Sequence, residues 1–176
     1  MRARTLSPIL ILAVLMAIPV TSSEVQGQNG NRELLGVFDL LNDPVTEAYP
    51  GINGGQGELA TYVGYYEFWG KAKTSGSGYY KEQGYLTGYE YLVGEETGDE
   101  WYGIMEKAPI LWHYGKDGSY FLHEPVHMIY YKLDENGDPT DERVRIQWRF
   151  HIKIDGEGNV LQFDTGLVNW HYWPGK

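Results

Sequence analysis

His123-Glu124-Pro125-Val126-His127 has the sharpest chemical signature in the sequence. It fits His-Glu-x-x-His, in which two histidines hold zinc and the glutamate activates the metal-bound water. That chemistry requires a helix, because only at about 3.6 residues per turn do residues four apart share a face. Pro125 lies between the histidines and would cost a helix interior about 3 kcal/mol. The flanks, Tyr120-Phe121-Leu122 and Met128-Ile129-Tyr130-Tyr131, favour strand. No Gly-x-x-His follows to supply a third ligand. In a strand the two histidines stand about 13 Å apart, too far to share one ion. The string reads as a false match to the zinc proteases, two histidines beside a proline-marked kink.

Two other metal readings are weaker still. His113, His123, His127 and His151 could meet Glu67 or Glu106 inside a barrel, but no ligand spacing marks such a site. Asp134-x-Asn136-x-Asp138 begins like a calcium loop, which needs Gly at its sixth position and a late bidentate Glu. Here Gly137 is fourth and Pro139 sixth, so Asn136-Gly137 reads as turn chemistry. No metal and no cofactor is expected.

Cations gather at Arg143, Arg145, Arg149, His151 and Lys153. They read first as a solvated face, cross-paired with acids on neighbouring strands. The alternative is an anion site built on Arg145, Arg149 and His151, because the planar guanidinium fork meets a carboxylate or sulfate with two hydrogen bonds. Tyr66, Trp101, Trp112, Tyr130 and Trp148 read first as core and second as the walls of a ligand site. Trp170, Tyr172 and Trp173 lie near the C-terminus, where they cover a barrel end or form a sugar-stacking platform. If the domain is a catalyst, Glu67, Glu106 and His127 are the candidate acids and bases.

The elements that must position these residues are strands. From Arg143 to Ile154, apolar residues hold every even position and polar or cationic ones every odd position. Successive strand side chains point to opposite faces, so this is one long strand with a dry and a wet face. Similar stretches begin at Glu58, Gly84, Glu100, Ile110, Ser119, Val126 and Val160, separated by turns such as Gly115-Lys116-Asp117-Gly118 and Asp155-Gly156-Glu157-Gly158-Asn159. Glu33–Leu41 reads as a short strand or a helical turn. The pattern is all-β, an antiparallel meander of about eight strands. Closure into a barrel is expected, because closure removes exposed edges. An open sandwich is the second choice.

Arg2 and Arg4, the apolar run Ile9–Ile18 and the small residues Thr21-Ser22-Ser23 describe a secretory signal peptide over residues 1–23. An arm and loop over 24–57 and a barrel domain over 58–176 follow. Removing residues 1–23 takes away two arginines and no acid, so the net charge moves from -10 to -12. Such acidity argues against nucleic acid or an anionic membrane as partner. The chain has no cysteine, so its stability rests on packing, with 15 Tyr, 6 Trp and 5 Phe to supply it.

Gly55-Gln56-Gly57-Glu58-Leu59-Ala60-Thr61-Tyr62-Val63-Gly64 resembles the Gly-x-Ala-Thr-His-Leu-Gly opening of small exported bacterial β-proteins of uncharacterised function. These are similar in outline to barrels of the allene oxide cyclase and dirigent type. Arg143–Phe163 resembles their closing hairpin. Tyr62 stands where that pattern has His, so no role of that His carries over. The resemblance implies a barrel and export, to the periplasm or the medium, and supplies no activity. The expected function is a secreted, non-enzymatic barrel that binds a small hydrophobic or aromatic ligand. A cyclase or isomerase barrel and a glycan-binding surface protein are the alternatives.

Overall fold

A computed structural model describes residues 32–74, 76 and 80–175, with Glu106 and Thr165 described by their backbone alone. The signal peptide and the first part of the arm lie outside these residues. The described chain is all-β, with eight strands: β1 (Glu33–Asp39), β2 (Val45–Tyr49), β3 (Glu58–Thr74), β4 (Tyr80–Gly94), β5 (Glu100–Tyr114), β6 (Tyr120–Leu133), β7 (Pro139–Ile154) and β8 (Val160–Trp173). From β3 to β8 each strand pairs antiparallel with the next, and β1 and β2 share the free flank of β3. Two strands therefore precede Glu58, within the segment read from sequence as arm and loop.

The tight hairpins share one device. The Asp117, Asp134 and Asp155 carboxylates each accept an N–H two residues on, from Ser119, Asn136 and Glu157 at 3.1, 2.8 and 3.0 Å. Gly118, Gly137 and Gly158 take the left-handed conformation that completes each turn. The calcium-like string at Asp134 is one of these turns.

Even-numbered residues face the dry, concave side along β3, β6 and β7. Ala60, Tyr62 and Phe68 are buried on β3, Leu122, Val126 and Met128 on β6, and Val144, Ile146 and Ile152 on β7. Arg143, Arg145 and Arg149 are exposed on the opposite face.

The expected closure into a barrel does not occur. Among the described residues β8 pairs only β7, and β1 pairs only β3. The loop between β2 and β3 instead packs against side chains of the second half of β8. A Cβ placed on Gly51 would stand 2.8 Å from the Trp170 ring, and one on Gly55 would stand 3.0 Å from Tyr172. The sheet is thus a cup, with Gly51 and Gly55 seated against the second half of β8 and its first half left open.

Candidate functional site

The concave face is acidic as well as apolar. Among the described residues every buried charged one is a glutamate: Glu58, Glu82, Glu90 and Glu124. Glu58 is accounted for by the β4–β5 turn. Its carboxylate accepts the Glu96 and Thr97 N–H groups at 2.7 and 3.1 Å and the Thr97 hydroxyl at 2.6 Å.

Glu90 lies in the upper half of the cup. It accepts hydroxyls from Tyr49 at 3.2 Å, from Tyr130 at 2.5 Å and from Tyr66. Glycines make the room for these rings. A Cβ on Gly88 would stand 2.6 Å from the Tyr66 ring, one on Gly64 would stand 2.8 Å from the Tyr66 hydroxyl, and one on Gly103 would overlap the Tyr130 ring. Burial pushes the Glu90 pKa up, and the three phenol donors pull it partly back. The phenols themselves are driven well above their ordinary value, first by burial and then by Glu90. Glu47 on β2 is raised to about 7, by burial and then by Glu90. Tyr49 packs edge-on against Tyr62, Tyr130 and Trp148, with ring centroids 5.5–6.0 Å apart. This half of the cup is a filled aromatic core around a satisfied carboxylate.

Glu124 lies in the lower half, and its surroundings differ. It is 5% exposed. Among the described residues no hydrogen bond or ion pair reaches its carboxyl. Burial alone raises its pKa to about 7. On β7 it lies opposite Phe150. Toward β5 the ladder is interrupted between Met105↔Met128 and Leu111↔His123. Pro109 and Pro125 lie in that gap and have no N–H to give. One hydrogen-bonded row below, Glu82, Trp112, Leu122, Ile152 and Phe163 run side by side across β4 to β8. Glu82 accepts the Tyr80 hydroxyl, and burial raises its pKa. Trp112 buries its indole N–H without an acceptor among the described residues. An unpaired buried polar group costs about 1–3 kcal/mol, so this end of the cup is incompletely satisfied.

The structure sorts the residues singled out in the sequence. Tyr66 and Tyr130 meet at Glu90, and Trp148 packs on Tyr130 at 6.5 Å. Trp101 is fully buried near the rim, and its indole N–H has no acceptor among the described residues. Trp112 stands apart from these, tilted on Phe68 at 5.5 Å. His123 and His127 share the phase of the outer face, opposite to Glu124. His123 packs edge-on against His151, and the Arg145 guanidinium lies 3.0 Å from Nδ1 of His127. Arg149 pairs with Asp164 at 2.7 Å. Arg145, Arg149 and His151 thus have protein partners. Glu67 is on the outer face and accepts the Trp69 indole N–H at 2.8 Å. The Glu106 side chain lies outside the described set. Among the described residues no three His, Asp or Glu are placed to hold a metal ion.

Sequence reasoning passed over Glu90, Tyr49 and the inward role of Glu124. The signal was present as phase. Glu90 alternates with Leu86 and Leu92, and Glu124 alternates with Leu122 and Val126, so each carboxyl occupies an apolar position. Comparison with protein-family models, curated proteins and solved structures yields no match.

Proposed function

We propose that the protein is a non-enzymatic binding domain that takes a small hydrophobic or aromatic molecule into the lower half of its cup. The observation that carries this reading is the state of β8. Phe163 lies opposite Ile152 and Leu167 opposite Trp148, so both share the concave face, yet each is 48% exposed. Ile152, on the same face one strand away, is 2% exposed. Apolar side chains at the mouth of a concave aromatic surface are what a ligand covers. Export, as the N-terminal sequence suggests, would place the domain where such molecules are met outside the cell.

The test is titration with N-phenyl-1-naphthylamine, an uncharged lipophilic dye that brightens in apolar sites. Saturable binding is expected. Phe163→Asp should weaken it roughly ten-fold with unchanged circular dichroism, at a cost near that of losing one buried aromatic contact. Tyr91→Ser, on the outer face, should leave it unchanged. Equal effects of the two variants would count against the cup.

A second reading has its own observation. Tyr65, Tyr89, Tyr91 and Tyr102 form a contiguous set of rings on the outer face, Tyr91 and Tyr102 with centroids 4.9 Å apart and Tyr91 48% exposed. Such a set suits stacking on a sugar chain. A glycan array without hits from folded protein would remove it.

A further inference from the structure

We infer that the ligand of the cup is a small apolar amine, held through its ammonium group by the carboxylate of Glu124. This rests on the binding reading above and names the ligand class. Three observations converge on it. First, Glu124 is nine-tenths buried and has no hydrogen-bond or ionic partner among the described residues, while Glu58, Glu82 and Glu90 all have donors. A buried carboxylate without a donor is costly, and a ligand that donates removes the cost. Second, charge is segregated by face. The buried charged residues among those described are all glutamates, and the arginines of β7 are exposed on the outer wall. A cation entering the cup meets no like charge among those buried groups, and an anion meets glutamates. Third, Phe150 on β7 stands opposite Glu124 in the ladder, and Trp112 on β5 stands opposite Leu122 in the next row of the same face, so aromatic side chains occupy this end of the cup, and aromatic rings favour a cation over a neutral group. A bare metal ion is the poorer fit, because one carboxylate among aromatic rings lacks the several oxygen ligands that hard cations require.

The binding is linked to pH. Glu124 must ionise to hold the ammonium, so the amine displaces a proton. The described titratable groups at this end are Tyr80 and Glu82 on β4, Tyr114 on β5 and Tyr120 on β6; β7 presents Phe150 and Ile152 to the cup. The three tyrosines are raised above their ordinary value and stay neutral. Glu124, raised to about 7, is therefore the group whose charge changes near neutrality, and Glu82 is raised in the same direction.

The experiment is displacement of bound N-phenyl-1-naphthylamine by phenethylamine and by phenethyl alcohol, which have the same apolar body. At pH 8 the amine should displace the dye at a concentration roughly ten-fold lower than the alcohol, as a charge-assisted bond replaces a neutral one. At pH 5 the two should converge. In Glu124→Gln they should be equal at both pH values, with the dye still bound as proof of a folded cup. Equal potency on the wild type at pH 8, or a preference that survives in Glu124→Gln, overturns the amine and leaves the cup standing. Failure of the dye to bind the wild type overturns both.

Discussion

Tyr130 donates its hydroxyl to Glu90 at 2.5 Å, joining β6 to β4 across the strand between them. Glu90, Gly103 and Tyr130 form one row across β4, β5 and β6. Gly103 has no side chain, so the Tyr130 ring lies flat over β5 and reaches the carboxylate beyond it. The bond ties three strands together in the middle of an open sheet.

Gly103→Ala should therefore break more than a local contact. Its Cβ would stand 2.6 Å from a Tyr130 ring atom, and the ring must swing off Glu90. Overpacking and a lost bond to a buried carboxylate together predict a loss of about 2–4 kcal/mol in urea denaturation. Gly36→Ala is the control, since a Cβ there meets nothing within 4 Å, and it should be near neutral. A Gly103→Ala protein as stable as wild type would refute the role given to this row.

The three hydroxyls on Glu90 should act as one network. Tyr49→Phe, Tyr66→Phe and Tyr130→Phe should each cost about 1–3 kcal/mol, because each leaves a buried carboxylate short of a donor. Double variants should depart from additivity, since the donors share one acceptor. Additive losses in a double-mutant cycle would mean that the tyrosines act by packing alone.

Stability should fall as pH rises through neutrality. Glu124 is raised from 4.5 to about 7 by burial, and Glu47, Glu82 and Glu90 are raised as well. The folded state therefore holds these protons more tightly than the unfolded state. The stability that Glu124 and Glu47 contribute is complete below about pH 4.5 and is lost as pH passes about 7, and Glu82 and Glu90 act in the same direction. For Glu124 alone the difference is about 3 kcal/mol. Thermal unfolding should occur at a lower temperature at pH 8 than at pH 5, and Glu124→Gln should flatten the slope and gain stability at pH 8. A wild type that strengthens over this range would contradict the buried, unpaired placement. Asp117, Asp134 and Asp155 are lowered from 3.8, so they act only in more acid solution.

Zinc and chelators should leave the unfolding temperature unchanged. His123 and His127 lie on the outer face of β6 and are engaged by His151 and Arg145, while Glu124 lies on the other face. A stabilisation by micromolar zinc that His127→Ala abolishes would reverse this reading.

The all-β character was legible because β7 writes its two faces in strict alternation, and because the hairpins carry Asp and Gly where turns require them. Closure was not legible. Nor was the seating of Gly51 and Gly55 against Trp170 and Tyr172, residues more than 110 positions apart in sequence. Strand pattern gives no sign of which loop packs against a distant strand. Of the candidate site, Tyr66, Tyr130 and Trp148 were found as inward aromatics, but the carboxylate that organises two of them was overlooked. Attention to a metal motif also drew Glu124 toward its flanking histidines, whereas the period of two sets it apart from them.

Methyl-resolved NMR during titration with the uncharged naphthylamine dye tests the central claim most directly. Shifts should concentrate on Ile110, Leu122 and Ile152, buried at the end of the cup that holds Glu124, and spare Leu92 and Val144, buried at the end that holds Glu90. Saturable shifts confined to Val93 and Ile104 on the outer face, or none that saturate, would contradict it.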